Sequence, residues 1–289
     1  MSILIDRETK VLIQGITGKE GMFHTRLMIE YGTQVVAGVT PGKYGENVLG
    51  IPVYDTVIEA LENHAINASG IFVPARYAKD AAFEAIDAGI KLVVILTEGI
   101  PIHDTMKIKA FAKEKGTRVI GPNTPGLVTV DQCKIGLLNT DHVMPGDVGV
   151  ISRSGTLTTE ITASLVKEGV GQSTIVGIGG DSVVGSTIRD ILSLFEQDEK
   201  TKGIVIVGEI GGTMEEEAAE YAREKMTKPI VAWIAGRHAP EGKRLGHAGA
   251  IVEGERGTAE SKIKALSQAN ISIAQVPWEV GELMKKVLL

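Results

Sequence analysis

The residues best equipped for chemistry lie in a few short stretches. His247 sits in GKRLGHAGA (242–250), between Gly246 and the Ala248-Gly249 pair, so no large chain neighbour crowds its ring. An imidazole offered outward in this way is a nucleophile or proton carrier near neutral pH. Glu209 ends the apolar run GIVIVGE, ahead of IGGTMEEE. A carboxylate there can accept a hydrogen bond from one ring nitrogen of His247 and leave the other neutral and nucleophilic. Thr213 and Glu216 have the spacing of a capping box and are read as serving the next helix, whereas Glu209 precedes that cap. In VGVISRSGTLTTE, Ser154, Gly155 and Thr156 follow a strand-like run. They fit a helix start, with Ser154 and Thr156 as candidate caps, and equally an anion cradle.

A further anion-binding pattern opens the chain. KVLIQ leads into Gly15-Ile16-Thr17-Gly18-Lys19-Glu20-Gly21, with glycine at every third position. Such spacing lets backbone N–H groups approach a phosphate, while Thr17 offers a hydroxyl and Lys19 a charge. It is not a P-loop, because Glu20 stands where Ser or Thr should follow the lysine and Ile13 where the first glycine belongs; nor is it GxGxxG. The second apolar run ends in VAGVTPGKYG, which places Lys43, rather than an acid for ribose hydroxyls, in a Pro-Gly turn. A second phosphate group suits that lysine, so the residues point to coenzyme A with its 3'-phosphate or to NADP. Pro74 in FVPAR, the ILTEG run holding Leu96, Thr97 and Glu98, and Asn123 in GPNTPG fall at later strand ends, and together these loops describe a slot.

These groups need elements to place them. Short β-branched runs (KVLIQ, QVVAGV, GIFVP, KLVVILT, RVIG) alternate with helical patterns near 19–31, 77–89 and 104–115. Strands that are apolar throughout, each followed by an amphipathic helix, predict a parallel sheet covered on both faces. The segment from about 121 to 147 is rich in Gly, Pro, Asn and Asp and reads as a link with a short strand pair. Alternation then resumes with VGVIS, STIVGIG, GIVIVGE and PIVAWIAG, with helices near 155–168, 186–196, 214–226, 258–269 and 278–287. The expectation is an α/β protein: a Rossmann-like domain over 1–123, then a doubly wound, flavodoxin-like domain over 124–289. Ligands of such sheets bind at the carboxyl ends of the strands.

Composition narrows the function classes. The 289 residues carry a net charge of -6, which argues against nucleic acid or an acidic membrane surface as the main partner. No run reaches the length of a membrane span, and the charged first ten residues do not form a signal peptide. The single cysteine, Cys133, fits a reducing cytoplasm and reads as a small buried apolar residue. No cluster with metal-ligand spacing stands out.

In order and spacing, QGITGKEG, AGVTPGK, FVPA, TEGIP, GPNTPG, SRSGT, VGIGGD, GEIGG and GKRLGHAGAI resemble the α-subunit family of succinyl-CoA synthetase (succinate–CoA ligase), over nearly the whole chain. The resemblance implies an NDP-forming acid–CoA ligase whose first domain binds coenzyme A through Thr17, Gly18, Lys19, Glu20, Lys43 and Leu96 to Glu98, with Pro74 and Asn123 nearby. It implies that His247 is transiently phosphorylated, that Glu209 orients it, and that the SRSGT helix start holds the phosphate with Ser154, Gly155 and Thr156. It also implies a β subunit with an ATP-grasp domain, which would bind ATP or GTP with Mg, in an αβ heterodimer or α2β2 assembly.

The sequence departs from that family at two positions. Thr159 stands where succinate enzymes generally carry tyrosine, and Ser182 replaces the usual proline after GIGGD. Thr159 would enlarge the acid pocket or add a hydrogen bond, which keeps citryl-CoA synthetase, and behind it malate–CoA ligase, as alternatives to succinate. An NADP-dependent oxidoreductase would explain the glycine loop and Lys43 but would leave His247 and Glu209 without a task. A non-catalytic CoA-binding module would need only the first half.

Overall fold

The computed structural model describes residues 2–237, 246–252 and 257–289; residues 242–245 of the histidine motif lie outside the described residues. The chain divides into two compact units, one of Leu4–Leu137 with Val183–Gly185, the other of Leu138–Ser182 and Ser186–Leu289 with the residues up to Ile3. The division falls beyond position 123 because residues 124–137 fold onto the first unit. There β8 (Gly126–Thr129) and β9 (Cys133–Gly136) pair as an antiparallel hairpin. The Thr33 hydroxyl donates to the Lys134 carbonyl at 2.8 Å and accepts from its amide at 2.9 Å, and the Thr129 hydroxyl donates to the Ile5 carbonyl at 2.7 Å.

The first unit runs β1 (Lys10–Gln14), α1 (Lys19–Tyr31), β2 (Gln34–Val39), β3 (Asn47–Val48), β4 (Ile51–Tyr54), α2 (Val57–Asn63), β5 (Ala68–Ile71), α3 (Ala75–Asp87), β6 (Leu92–Ile95), α4 (Ile102–Lys115) and β7 (Arg118–Ile120) before that hairpin. Its sheet has the order β3-β4-β2-β1-β5-β6-β7, and only the β3–β4 pair is antiparallel. Val11, Leu12 and Ile13 of β1 have no solvent exposure, as a strand covered on both faces requires. The chain leaves β1 toward β2 and later returns to its other side at β5, so the carboxyl ends of β1 and β5 form the switch point where a ligand crevice opens.

The second unit runs β10 (Pro145–Ser152), α5 (Gly155–Lys167), β11 (Gln172–Gly177), α6 (Ile188–Gln197), β12 (Gly203–Glu209), α7 (Met214–Lys225), β13 (Ile230–Ala235), α8 (Ala259–Gln268), β14 (Ser272–Ile273) and α9 (Val280–Leu288). Its parallel strands have the order β14-β13-β12-β10-β11, with the switch between β10 and β12. The adjoining carboxyl ends there are Ser152 and Glu209, the residues that open SRSGT and close GIVIVGE. On α6, Ile188, Ile191, Leu192 and Phe195 form one buried stripe, and burying such a side chain contributes about 1.5–3 kcal/mol. Gly149 of β10 leaves room for Phe195, since a Cβ there would lie 2.5 Å from that ring.

The capping box expected of Thr213 and Glu216 does not form. Thr213 precedes α7 without a side-chain cap bond, its hydroxyl donates to Glu217 at 2.7 Å, and Glu216 accepts from Ser261 on α8 at 2.8 Å. Tertiary partners for Glu216 outweigh the local cap. Among the described residues, no helix is long and apolar enough to cross a membrane.

Candidate functional site

The switch point of the first unit carries a cleft of about 590 Å³. Gly15 takes φ +84° after β1, and a Cβ on Gly21 would lie 2.2 Å from the Gly15 carbonyl oxygen. Only glycine lets α1 start this close to the loop. Of the residues singled out from sequence, Thr17, Gly18 and Pro74 line the cleft. The Thr17 hydroxyl donates to that of Thr40 at 3.1 Å, Gly18 precedes α1 without a side-chain cap, and Pro74 stands immediately ahead of α3. Lys19 and Glu20 are exposed on the first turn of α1, with Glu20 3.6 Å from His24.

The other predicted residues of this unit lie around the cleft rather than on its wall. The Leu96 amide donates to the Ile71 carbonyl at 3.2 Å and the Thr97 hydroxyl to the Val73 carbonyl at 2.7 Å, while the Asn123 amide donates to the Thr97 carbonyl at 2.9 Å. These bonds bring the TEG and GPN loops beside the Phe72–Pro74 turn, with Glu98 exposed at its end. The Lys43 ammonium is exposed and pairs with Glu46 at 2.7 Å, and its backbone amide donates to Asp55 at 2.9 Å. Sequence reasoning missed Gln14, Tyr77, Asp80 and Glu84, which also line the cleft. Gln14 is readable only as the last residue of β1, and the others only as a helix face.

In the second unit, Ser154, Glu209 and His247 meet around a pocket of about 230 Å³. His247 Nδ1 lies 2.8 Å from Glu209 Oε2. The Glu209 hydrogen bond is the main cause that raises the His247 pKa above its usual value, against burial, which opposes it. The ring is less open than its glycine neighbours imply. Its side chain is 29% exposed, and it rests against Gly180, where a Cβ would lie 2.3 Å from His247 Cγ. Gly246 supplies a positive φ of 73° for the turn, and Gly249 supplies a close approach, its amide donating to the Gly180 carbonyl at 3.0 Å.

Ser154 caps α5, its hydroxyl accepting from the Leu157 amide at 3.4 Å. Thr156, the other candidate cap, is instead exposed on the first turn. The N–H groups of Gly155 and Thr156 head the helix outside its own hydrogen-bond ladder, at the positive end of its dipole. Thr159 is half-buried one turn later, with its hydroxyl 3.5 Å from the Gly155 carbonyl, and does not line the pocket. The arrangement sets an imidazole, with one ring nitrogen on a carboxylate, beside a helix start suited to an oxyanion.

Three buried charges were not singled out from sequence. Arg153 is 1% exposed, with Nε 3.3 Å from Glu209 Oε1 and Nη1 3.3 Å from Glu215 Oε1. Lys262, fully buried on α8, pairs with Glu215 Oε2 and donates to the Gly211 carbonyl at 3.0 Å. Burial opposes the charge on Glu215, but Arg153 and Lys262 together hold its carboxyl below the usual range. Cys133 is 1% exposed, and burial pushes its thiol up to about 12, as fits a packing residue. Among the described residues, no cluster of His, Cys, Asp and Glu could hold a metal ion.

Comparison with known proteins finds two matching families along the chain. Residues 6–99 match the CoA binding domain family and residues 151–272 the CoA-ligase family. The chain is 55% identical over 288 residues to succinate–CoA ligase (ADP-forming) subunit alpha 2 of Archaeoglobus fulgidus, covering 100% of both chains. It is 51% identical to succinate–CoA ligase (ADP-forming) subunit alpha of Staphylococcus epidermidis, over 97% of this chain and 93% of that one. Among solved structures, ATP citrate lyase of Methanothrix soehngenii, in complex with citrate and coenzyme A, superposes with a TM-score of 0.91 at 27% identity. That match covers 99% of this chain, which spans about half the length of the lyase chain. Full-length identity to these relatives and the two matched domains place the chain in the succinyl-CoA synthetase (succinate–CoA ligase) α-subunit family.

Proposed function

We propose that this chain is the α subunit of an NDP-forming acid–CoA ligase that acts on succinate, with coenzyme A bound by the unit that begins at Leu4 and the phosphoryl relay carried by His247. The observation that carries the reading is the 2.8 Å contact between His247 Nδ1 and Glu209, in a pocket shared with Ser154 at the head of α5. The glycine-lined cleft suits coenzyme A: Gly15, Thr17 and Gly18 line it at the head of α1, where the helix dipole favours a phosphate, and Pro74 and Tyr77 line it too.

Glu209 accepts the Nδ1 proton, so Nε2 keeps its lone pair. That nitrogen attacks the γ-phosphorus of the nucleoside triphosphate, the bond to the departing diphosphate breaks, and Glu209 stabilises the positive charge that develops on the ring. The α5 head, with Ser154 and the Gly155 and Thr156 amides, receives the phosphoryl oxygens. His247 then gives the phosphoryl group to a carboxylate oxygen of the acid, forming an acyl phosphate. The thiol of coenzyme A displaces inorganic phosphate to leave the thioester, and the thiol proton passes to solvent. The nucleotide and its Mg are assigned to a β subunit with an ATP-grasp domain, in an αβ or α2β2 assembly; the relatives are themselves named as alpha subunits.

Identity above 50% to succinate–CoA ligase subunits supports succinate, whereas the citrate-bound lyase relative and Thr159 keep citrate as the second reading. The test is thioester formation by the chain reconstituted with its β partner, given succinate, citrate or malate in turn. Succinate is expected to give the highest kcat/KM, and the His247→Asn variant no product. Thioester formation by His247→Asn would reject the relay, and a preference for citrate would reject the acid.

A further inference from the structure

We propose that Arg153 is a positioning residue for the phosphoryl relay: it draws one oxygen of Glu209 by charge so that the other faces Nδ1 of His247. The assignment rests on the relay reading above and adds to it the device that sets the geometry of the Glu209–His247 pair.

A guanidinium that is 1% exposed must have partners, because an unpaired buried charge is costly. Arg153 divides its fork between two carboxylates. Nε lies 3.3 Å from Glu209 Oε1 in a charge contact that neither atom completes as a hydrogen bond, leaving Oε2 for His247 at 2.8 Å, and Nη1 donates to Glu215 Oε1 at 3.3 Å. The same Nη1 donates to the main-chain carbonyls of Gly211 at 3.1 Å and Glu209 at 3.4 Å, so both the backbone and the side chain of Glu209 are held. Glu215 Oε1 accepts in addition from the Glu209 amide at 3.2 Å, and Lys262 anchors the far oxygen of Glu215. Arg153 and Lys262 thus join Glu209, Glu215 and the half-buried Glu216, which lies 3.5 Å from Lys262, in one charge network fastened to the end of β12.

The guanidinium also meets the turn that carries the histidine. A Cβ at Gly249 would lie 2.9 Å from Arg153 Nη2, so glycine there lets the turn pack onto Arg153. One side chain therefore bears on both members of the reacting pair. Charge attraction draws Oε1 toward the guanidinium while Nη1 holds the Glu209 main chain, and the carboxylate so oriented keeps the imidazole proton on Nδ1 and the nucleophilic lone pair on Nε2. Without Arg153 the Glu209 carboxylate is free to turn, and the ring loses that bias. Lysine does not reproduce the fork, because its donors all leave one nitrogen and cannot match separate Nε and Nη1 positions beside Glu209, Glu215 and the Gly211 carbonyl.

The experiment uses the full chain with its β partner. It reads phosphoryl uptake from labelled nucleoside triphosphate in a single turnover, and the His247 tautomer from ring-nitrogen shifts of histidine-labelled protein. Arg153→Met is expected to slow uptake about 100-fold, as misplacement of a reacting group does, with protonation appearing at Nε2 and coenzyme A binding unchanged. Uptake at the wild-type rate with the tautomer unchanged would overturn the proposal. If Arg153→Met does not fold, Arg153→Lys decides: slower uptake supports the role of the fork, and wild-type uptake refutes it. Label taken up by His247→Asn, run in parallel, would instead reject the relay itself, and this assignment with it.

Discussion

Gly180 gives the sharpest perturbation of the proposed relay. It has no left-handed φ, so alanine meets the backbone's demands there, and the three atoms nearest to its added Cβ all belong to the histidine ring. The added Cβ would lie 2.3 Å from His247 Cγ and 2.6 Å from both Cδ2 and Nδ1. Carbon contacts settle near 3.5–4.0 Å, so the ring must withdraw by about 1 Å or more. Starting from a 2.8 Å contact between Nδ1 and Glu209, that retreat takes the pair beyond hydrogen-bond range. A ring that is 29% exposed has solvent to move into, so the cost in stability should stay at or below the roughly 1–3 kcal/mol of an overpacked core. The loss should fall on chemistry, where a displacement of about 1 Å costs on the order of 100-fold. Single-turnover phosphoryl uptake by Gly180→Ala, with a thermal melt and coenzyme A titration as controls, measures it. Uptake within about twofold of wild type would show that contact with Gly180 does not position the ring.

Other variants test other parts of the account. Glu209→Gln removes the main cause of the raised His247 pKa; because a raised pKa keeps more of the ring protonated and non-nucleophilic at low pH, the acid limb of the phosphorylation rate should move to lower pH while the maximum falls. An unmoved limb would contradict that origin. Gly21→Ala puts a methyl group 2.2 Å from a backbone oxygen with no flexible side chain to yield, so roughly 1–3 kcal/mol of stability and most coenzyme A affinity should go, as melting and calorimetry would read. Thr159→Tyr should shift the ratio of kcat/KM between succinate and citrate by about 10-fold if that residue selects the acid, and leave it unchanged if it does not. Cys133 should resist thiol reagents in the folded protein, with activity retained, because burial holds its thiol near 12.

Much of the architecture was legible because buried parallel strands leave unbroken apolar runs. GIVIVGE is buried at every position and ends on the acid that meets His247. Helix starts were less legible. α3 begins at Ala75, directly after Pro74, and α6 at Ile188, after a capping box formed by Thr187 and Asp190. The short α2 escaped notice although Thr56 and Glu59 form a capping box ahead of a seven-residue helix, and β4 carries Pro52, which masks a strand. The least legible features were pairings across long sequence separations. Arg153, Glu215 and Lys262 lie on different elements, and each reads locally as an ordinary solvated charge. The glycines around His247 were legible as a group but not in their roles, since the one that admits the ring is Gly180 on another loop.

The central claim is that phosphorus rides on Nε2 of His247. The direct measurement is to expose the chain and its β partner to labelled nucleoside triphosphate, locate the label by peptide mapping, and assign the nitrogen by phosphorus and nitrogen NMR. The account predicts one base-stable, acid-labile phosphate on Nε2 of His247, discharged on adding succinate and coenzyme A. Label on Nδ1, on another residue, or retained when both substrates are added would contradict it.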